Sequence, residues 1–320
     1  LMAITGAAFG SASGFWPLLV IAFVGTLNPS AGDVSVFLPL EHARLATLFD
    51  GDARTRAFAR YTIVGSLSAA FGALLAGLPA SLAAAQQVDP LVTMRAMFVL
   101  YGAVGVGVWA LYRGLPADPG HAGQVRSAPL GASRPVVVRL ALLFSVDAFA
   151  GGLVVNALLA LWLSTRFGLS AAQAGAFFFW AGLLTTASQW LAPKVAERIG
   201  LLNTMVFTHI PANLCLIGAA FATTLPLALA LLFLRSALSQ MDVPTRSAFV
   251  MAVVTPAERP AAASFTAVPR SLAAALSPAL GGALFAAGFM ALPLALCGVL
   301  KIGYDLALWT AFRSHAGENR

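Results

Sequence analysis

The residues with chemistry to offer lie where an apolar chain should have none. Arg235, Asp242 and Arg246 fall within LRSALSQMDVPTRSAFVMAVV, residues Leu234 to Val254, which continues an apolar run from near Pro226. At about 100° per residue, the step from Arg235 to Asp242 returns to nearly the same azimuth, and Arg246 lies close by. One helical face then carries Arg235, Ser239, Asp242 and Arg246, while the others carry Leu, Ala, Val and Phe. An ionised group at mid-membrane costs at least ~2.5–3.5 kcal/mol, so it is rarely kept without a partner or a water-filled cavity. This stripe is expected to face the interior of a helical bundle.

Asp147 sits in ALLFSVDAFAGGLVVNALLALWL with apolar residues on both sides. A carboxyl there can be held protonated by desolvation and change state when water reaches it, as a proton-coupling site requires; the alternative is a hydrogen bond to a neighbouring Ser or Asn. Asp33 has the same two readings, with Pro29 freeing a backbone carbonyl one turn earlier, and its place near one end of its segment also suits a gate. Arg235 cannot lose its proton and must pair with a carboxylate such as Asp242 or meet an anionic substrate. Asp242 and Arg246, four apart, are expected to form a gate salt bridge. Arg270 shares a face with Ser277 and either reaches a cavity or snorkels to the surface. Lys301 and Asp305 are spaced for a pair on one helix. Asn156, Gln189, His209 and Asn213 are polar groups in apolar runs, of the kind that join helices for ~0.6 kcal/mol each. His209 and Asn213, four apart, also have the spacing to face a cavity.

The supporting elements follow from composition. Of 320 residues, 59% are hydrophobic and 10% charged, with a mean hydropathy of +0.86. Soluble domains carry about 25% charged residues, so this is an integral membrane protein. Long apolar runs, rather than alternating segments of about ten residues, imply helices and not a barrel. The net charge of +7 is explained by basic loops on one side of a membrane, without nucleic acid. Cys215 and Cys297 both lie in apolar runs and indicate neither a disulfide framework nor a metal site. Gly102 to Gly107 follows no strand and precedes no Lys-Ser/Thr, so it reads as close helix packing rather than a nucleotide loop.

Residues 1–10 are too short to span and read as the end of a helix, with a turn at Gly10 to Gly14, or else residues 1–26 form one helix. Further segments are expected near 15–41, 57–84, 91–113, 136–164, 170–192, 201–222, 225–254, 260–287 and 289–312. The Pro-, Gly- and Ser-rich stretch 114–135 separates a first membrane half, 1–113, from a second of six helices, 136–320. With loops assigned alternately to two faces, Arg44, Arg54, Arg56, Arg60, Arg113, Arg126, Arg134, Arg139, Lys194, Arg198, Arg259, Arg313 and Arg320 share one side. Only Arg95 and Arg166 take the other. The basic side is the cytoplasmic one, which puts the linker and the C-terminus there and the protein in the cell (inner) membrane. An internal echo, Tyr61-Thr62-Ile63-Val64 against Phe265-Thr266-Ala267-Val268, suggests two parallel repeats.

Here the chain resembles the major facilitator superfamily, with two six-helix halves joined by a long cytoplasmic loop and the first two helices and part of the third not included. Pro193-Lys194-Val195-Ala196-Glu197-Arg198-Ile199-Gly200 is similar to that family's G-x-L-A-D-R-x-G loop, with Pro193 for Gly and Glu197 for Asp. Ser277-Pro278-Ala279-Leu280-Gly281-Gly282 resembles the G-P-x-x-G-G motif of exporters, although in the equivalent helix of the second half. The resemblance implies a two-lobed all-α bundle in which segments 15–41, 136–164 and 225–254 line a central cavity. It also makes Glu197, Arg198 and Arg246 cytoplasmic gate or loop residues. Asp33, Asp147, Asn156, Arg235, Asp242 and Arg270 become the substrate and proton-coupling candidates.

The function expected is secondary active transport of a small molecule by alternating access, first as proton-coupled efflux and second as proton-coupled uptake of an organic anion. No Walker loop, metal spacing or nucleophile constellation is present, so neither ATP, nor a cofactor or metal, nor an enzyme is expected. The partners are the substrate, protons and the lipid bilayer. A different reading, motivated by the helices not included, is a non-transporting remnant or an assembly partner.

Overall fold

The structure, a computed structural model, describes residues 1–25, 51–114 and 129–317; Asp33 and most of the linker lie outside these. All regular structure among the described residues is helical. The first half contains α1 (Met2–Ser11), α2 (Phe15–Val24), α3 (Gly51–Leu75), α4 (Leu78–Gln86) and α5 (Pro90–Arg113). The second contains α6 (Arg134–Gly152), α7 (Asn156–Phe167), α8 (Ala171–Ile199), α9 (Leu201–Ala220), α10 (Leu225–Leu238), α11 (Asp242–Val253), α12 (Arg259–Ala286) and α13 (Leu292–Gly317). The stretches Ile63–Gln86, Pro90–Arg113, Arg134–Phe167, Leu201–Ala220 and Leu292–Arg313 are long and apolar enough to cross a membrane. Helices α8 and α12 have the length, at 29 and 28 residues, but mix in Ser, Thr and Arg.

Local sequence sets the helix ends. The Asp89 carboxylate accepts from Leu91 N–H at 2.8 Å and caps α5, with Pro90 in the first turn. Ser170 and Gln173 form a reciprocal capping box at the start of α8,. Gly14 turns the chain between α1 and α2 at φ +92°, so residues 1–26 are two helices and not one.

Several segments are more broken than their hydropathy suggests. The segment 136–164 divides at Leu153–Val155, and 225–254 divides at Ser239–Met241. The 57–84 segment likewise divides at Ala76–Gly77. At the first of these, Leu153 and Val154 donate to Ala150 and Gly151, which tightens the last turn of α6 so that its backbone stays satisfied inside the bundle,. The motif Pro193 to Gly200 is not a loop: α8 continues through it to Ile199, and the turn is confined to Gly200, at φ +86°.

Small residues let the backbones meet. A Cβ on Gly6 of α1 would lie 2.5 Å from Gly102 N of α5. One on Gly175 of α8 would lie 2.6 Å from Ala73 O of α3, where the two halves touch; the Phe71 and Phe179 rings meet nearby at a tilt, with centroids 5.4 Å apart. In the second half, α6 packs on α12: a Cβ on Gly152 would stand 2.9 Å from Ala274 O and clash with Ser277 Oγ, and one on Gly281 would stand 2.5 Å from Leu153 O. The exporter-like stretch Ser277 to Gly282 is thus where α12 lies against the break after α6. Gly298 of α13 is packed as closely on Asn213 and Ile217 of α9.

Two apolar clusters fill the second half. One joins Leu153, Trp162, Phe177, Leu216, Leu232 and Leu294; the other joins Leu140, Phe144, Met205, Phe249, Leu308 and Phe312. The loop before α12 is fastened to the start of α6. Glu258 accepts from Gly131 N–H at 3.1 Å and from Ser133 N–H at 3.0 Å. The Ser133 hydroxyl first, and these backbone donors with it, hold the Glu258 carboxyl below the ordinary glutamate range. A depressed carboxyl stabilises the folded contact at neutral pH and loses that contribution as pH falls through its own lowered value. Hydrogen exchange at residues 129–133 should therefore rise on acidification in the native protein and be raised already at pH 7 in Glu258→Gln. Gly152→Ala should lower the thermal midpoint in detergent by the equivalent of ~1–3 kcal/mol. Gly107→Ala, where a Cβ meets nothing within 4 Å, should not lower it.

Candidate functional site

Between the two apolar clusters runs a layer of charge. On α6 it falls at Asp147, after Phe144 and before Leu153; on α9 at His209, after Val206 and before Leu216; on α13 at Lys301 and Asp305, around Tyr304 and beyond Cys297. Asp147 lies roughly 20 Å along its helix from Arg134, at 1.5 Å per residue. That is deep enough that its charge has to be answered by protein.

It is answered twice. Asp147 Oδ1 accepts from Lys301 Nζ of α13 at 2.5 Å, and Oδ2 accepts from Arg246 Nη2 of α11 at 3.0 Å. The same Arg246 nitrogen donates to Asp242 one turn earlier on α11. The guanidinium also lies over the Phe144 ring, 5.3 Å from its centroid, which adds a cation–π contact in a dry setting,. The result is an alternating chain, Asp242–Arg246–Asp147–Lys301, drawn from three helices. One turn beyond Lys301, Asp305 receives His209 Nδ1 of α9 at 2.9 and 3.0 Å. Asp147, Asp242, Arg246, Lys301, His209 and Asp305 are all buried.

The sequence-derived candidates are therefore dispersed differently from expectation. Asp147, Asp242 and Arg246 meet, and the Asp242–Arg246 pair forms. Asp147 is not an isolated carboxyl but a bridge between two cations. Arg235, in the last turn of α10, is half-buried and makes no salt bridge among the described residues. The break at Ser239–Met241 removes the single helical face that would have aligned it with Asp242. Arg270 is exposed on α12, Asn156 is exposed at the first position of α7, and Glu197 and Arg198 are exposed at the end of α8. Lys301 and Asp305 do not pair with each other; each reaches a different helix instead. Two pockets, of about 250 Å³ beside Phe177 and Trp180 and about 540 Å³ beside Arg134 and Phe265, lie away from this network. The charged stripe faces inward, but into the second-half bundle rather than onto either pocket.

Lys301, His209 and Asp305 complete the site, although as sequence they carry only the weaker signal of polar groups in apolar helices. Chemically the arrangement is suited to exchanging charge partners. A buried ion whose partner is removed is left uncompensated, at a cost of about 3–5 kcal/mol. Arg246→Met should accordingly lower stability in detergent by about that much, and adding Asp242→Asn should recover part of it, read as thermal unfolding midpoints of the single and double variants.

No protein-family model matches the chain. It is 23% identical over 347 residues to the uncharacterized membrane protein YJR124C of Saccharomyces cerevisiae, covering 98% of this chain and 78% of that one. Among solved structures it is similar to a bacterial homolog of the human lysosomal transporter Spinster. In the inward-facing, unoccupied form the TM-score is 0.63, at 18% identity, over 99% of this chain and 81% of the other. In the inward-facing, occupied form it is 0.62, at 19% identity, over 100% and 80%. This helical membrane protein has the fold of the major facilitator superfamily.

Proposed function

We propose that the protein is a secondary active transporter that moves a small molecule across a membrane by alternating access, driven by protons. One observation carries the reading: an alternating chain of four buried charges joins α6, α11 and α13 inside a transporter-type fold. Charges at that depth are costly and are retained where they mark ion or substrate pathways. Asp147 is the centre, because Arg246 and Lys301 each hold one of its oxygens and any change in its charge or position redistributes both. Export is the favoured direction, on the strength of Ser277 to Gly282. Uptake of an organic anion is the second reading; it is motivated by Arg270, exposed on α12, and by Arg235, neither of which makes a salt bridge among the described residues.

The orientation follows from basic residues and their neighbours. Arg113, Lys194 and Arg313 each sit over a tryptophan one turn earlier, at 4.8, 4.5 and 5.1 Å from the ring centroids. All three pairs belong to the basic side. Such pairs suit the headgroup layer, with the indole in the interface and the cation reaching outward. That side is assigned to the cytoplasm of a cell (inner) membrane.

The test is dye-reported proton flux in proteoliposomes challenged with a panel of lipophilic cations and small organic anions. A compound that drives proton movement opposite to its own identifies export by antiport, whereas movement in the same direction identifies symport. Asp147→Asn should abolish the coupled flux at unchanged protein incorporation. Full flux in that variant would remove the role given to Asp147.

A further inference from the structure

We infer that the His209–Asp305 pair is the proton-binding site of this protein and that Lys301 relays its state to Asp147. The inference rests on the proton-coupled reading above and names the group that the proton occupies. Asp147 is poorly placed for that task, since each of its oxygens already accepts from a basic side chain. Asp242 shares Arg246 with it. Among the side chains of the layer, an imidazole is the type whose ordinary charge change lies near neutral pH. His209 Nδ1 faces both Asp305 oxygens at nearly equal distance, 2.9 and 3.0 Å, so the ring and the carboxyl share one buried contact in which a proton can be held.

Among the described residues, few groups face the pair. On α13 these are Lys301, one turn away, and Tyr304, whose ring meets the His209 ring edge-on at 6.4 Å. Asp147 lies on α6, Asp242 and Arg246 on α11, Arg235 on α10 and Arg270 on α12. On α8 the ionisable groups Lys194, Glu197 and Arg198 are all at its exposed end.

Lys301 is the part that can change hands. Its stem lies along Gly151 of α6, where an added Cβ would be 3.6 Å from both Cε and Nζ. It is four residues before Asp305 on the same helix, within ordinary side-chain reach. With His209 protonated, Asp305 has its own cation and Lys301 is left to Asp147. When the imidazolium releases its proton to water, Asp305 keeps its negative charge and loses its partner. The Lys301 ammonium then moves one turn to Asp305, while Asp147 remains held by Arg246. No carboxylate is left unpaired in either state, and the contact between α6 and α13 is broken in one of them.

The chain contains four histidines, and the triple variant His42→Gln, His121→Gln and His315→Gln leaves His209 as the one imidazole. With 15N-labelled histidine, nuclear magnetic resonance of this protein in lipid nanodiscs reads the imidazole state from about pH 5 to 9. One imidazole should pass from charged to neutral across that range, and Asp305→Asn should move the conversion to lower pH. An imidazole that keeps one state throughout, or a conversion that Asp305→Asn leaves unmoved, overturns the site. For the relay, Asp147→Asn should move the His209 conversion when Lys301 is present and leave it in place in a Lys301→Met background. Equal movement in both backgrounds overturns the relay. Because the titration needs no transported compound, a titrating His209 without coupled flux would remove the transport reading while leaving the proton site standing.

Discussion

The second half of this protein is organised by the requirement that a charge placed in a dry helical bundle be matched at contact distance. Desolvation of an ion costs several kcal/mol even after relaxation, and attraction repays it only where the geometry is close. Asp147, Arg246 and Lys301 meet that condition because three helices deliver them to one level. Moving any of these helices by a turn would strand at least one ion. The apolar clusters above and below fill space, but hydrophobic packing tolerates sliding and substitution far better than an ion pair tolerates separation. The charged layer therefore fixes the register of α6, α11 and α13.

Side chains of ordinary length can satisfy this only if the backbones come close, and the small residues allow it. Gly152 and Gly281 bring α12 against the end of α6, and Gly298 brings α13 against α9. The first places the Asp147 helix, and the second sets the separation across which His209 meets Asp305. In a bilayer these contacts cannot be driven by exclusion of apolar surface from water, so close van der Waals packing has to supply the association. The glycines and the charges are thus two halves of one arrangement, since the first permit the distances that the second require.

Most of the helical plan was legible, because long apolar runs admit few alternatives and the charge sidedness constrained their number. Helix interruptions were less so. Leu153–Val155 lies in sequence as apolar as its surroundings, and that break belongs to the packing of α6 on α12, whereas Ser239–Met241 carries a local signal in Ser239, Gln240 and the nearby Pro244. For the site, burial cost pointed to Asp33, Asp147, Arg235, Asp242 and Arg246, of which Asp147, Asp242 and Arg246 meet. Spacing of i,i+4 gave the Asp242–Arg246 pair but not the other partners, because it points along one helix whereas Lys301 and Asp305 each reach across to another. His209 was visible as a polar group in an apolar run, but nothing in its neighbourhood of sequence named Asp305, 96 residues away. Pairings between distant segments are a property of helix packing, which local spacing does not encode.

The placement of the breaks bears on how such a layer could move. Asp147 lies five residues before the end of α6, and Asp242 is the first residue of α11, directly after the interruption at Ser239–Met241. By contrast, α9 and α13 run unbroken through the layer, and they carry His209, Lys301 and Asp305. The charges thus divide into a set on continuous helices and a set beside helix ends. Under the transport reading, the continuous pair is a fixed post and the broken helices are the elements free to reorient, because a helix end can absorb a backbone change that a helix interior cannot. A rigid post carrying both a titrating pair and a mobile ammonium can tell the movable helices whether a proton is present without itself moving. That division of labour gives the alternating sign pattern a function that static stabilisation would not need, since a well-packed apolar layer would hold the bundle together at least as firmly.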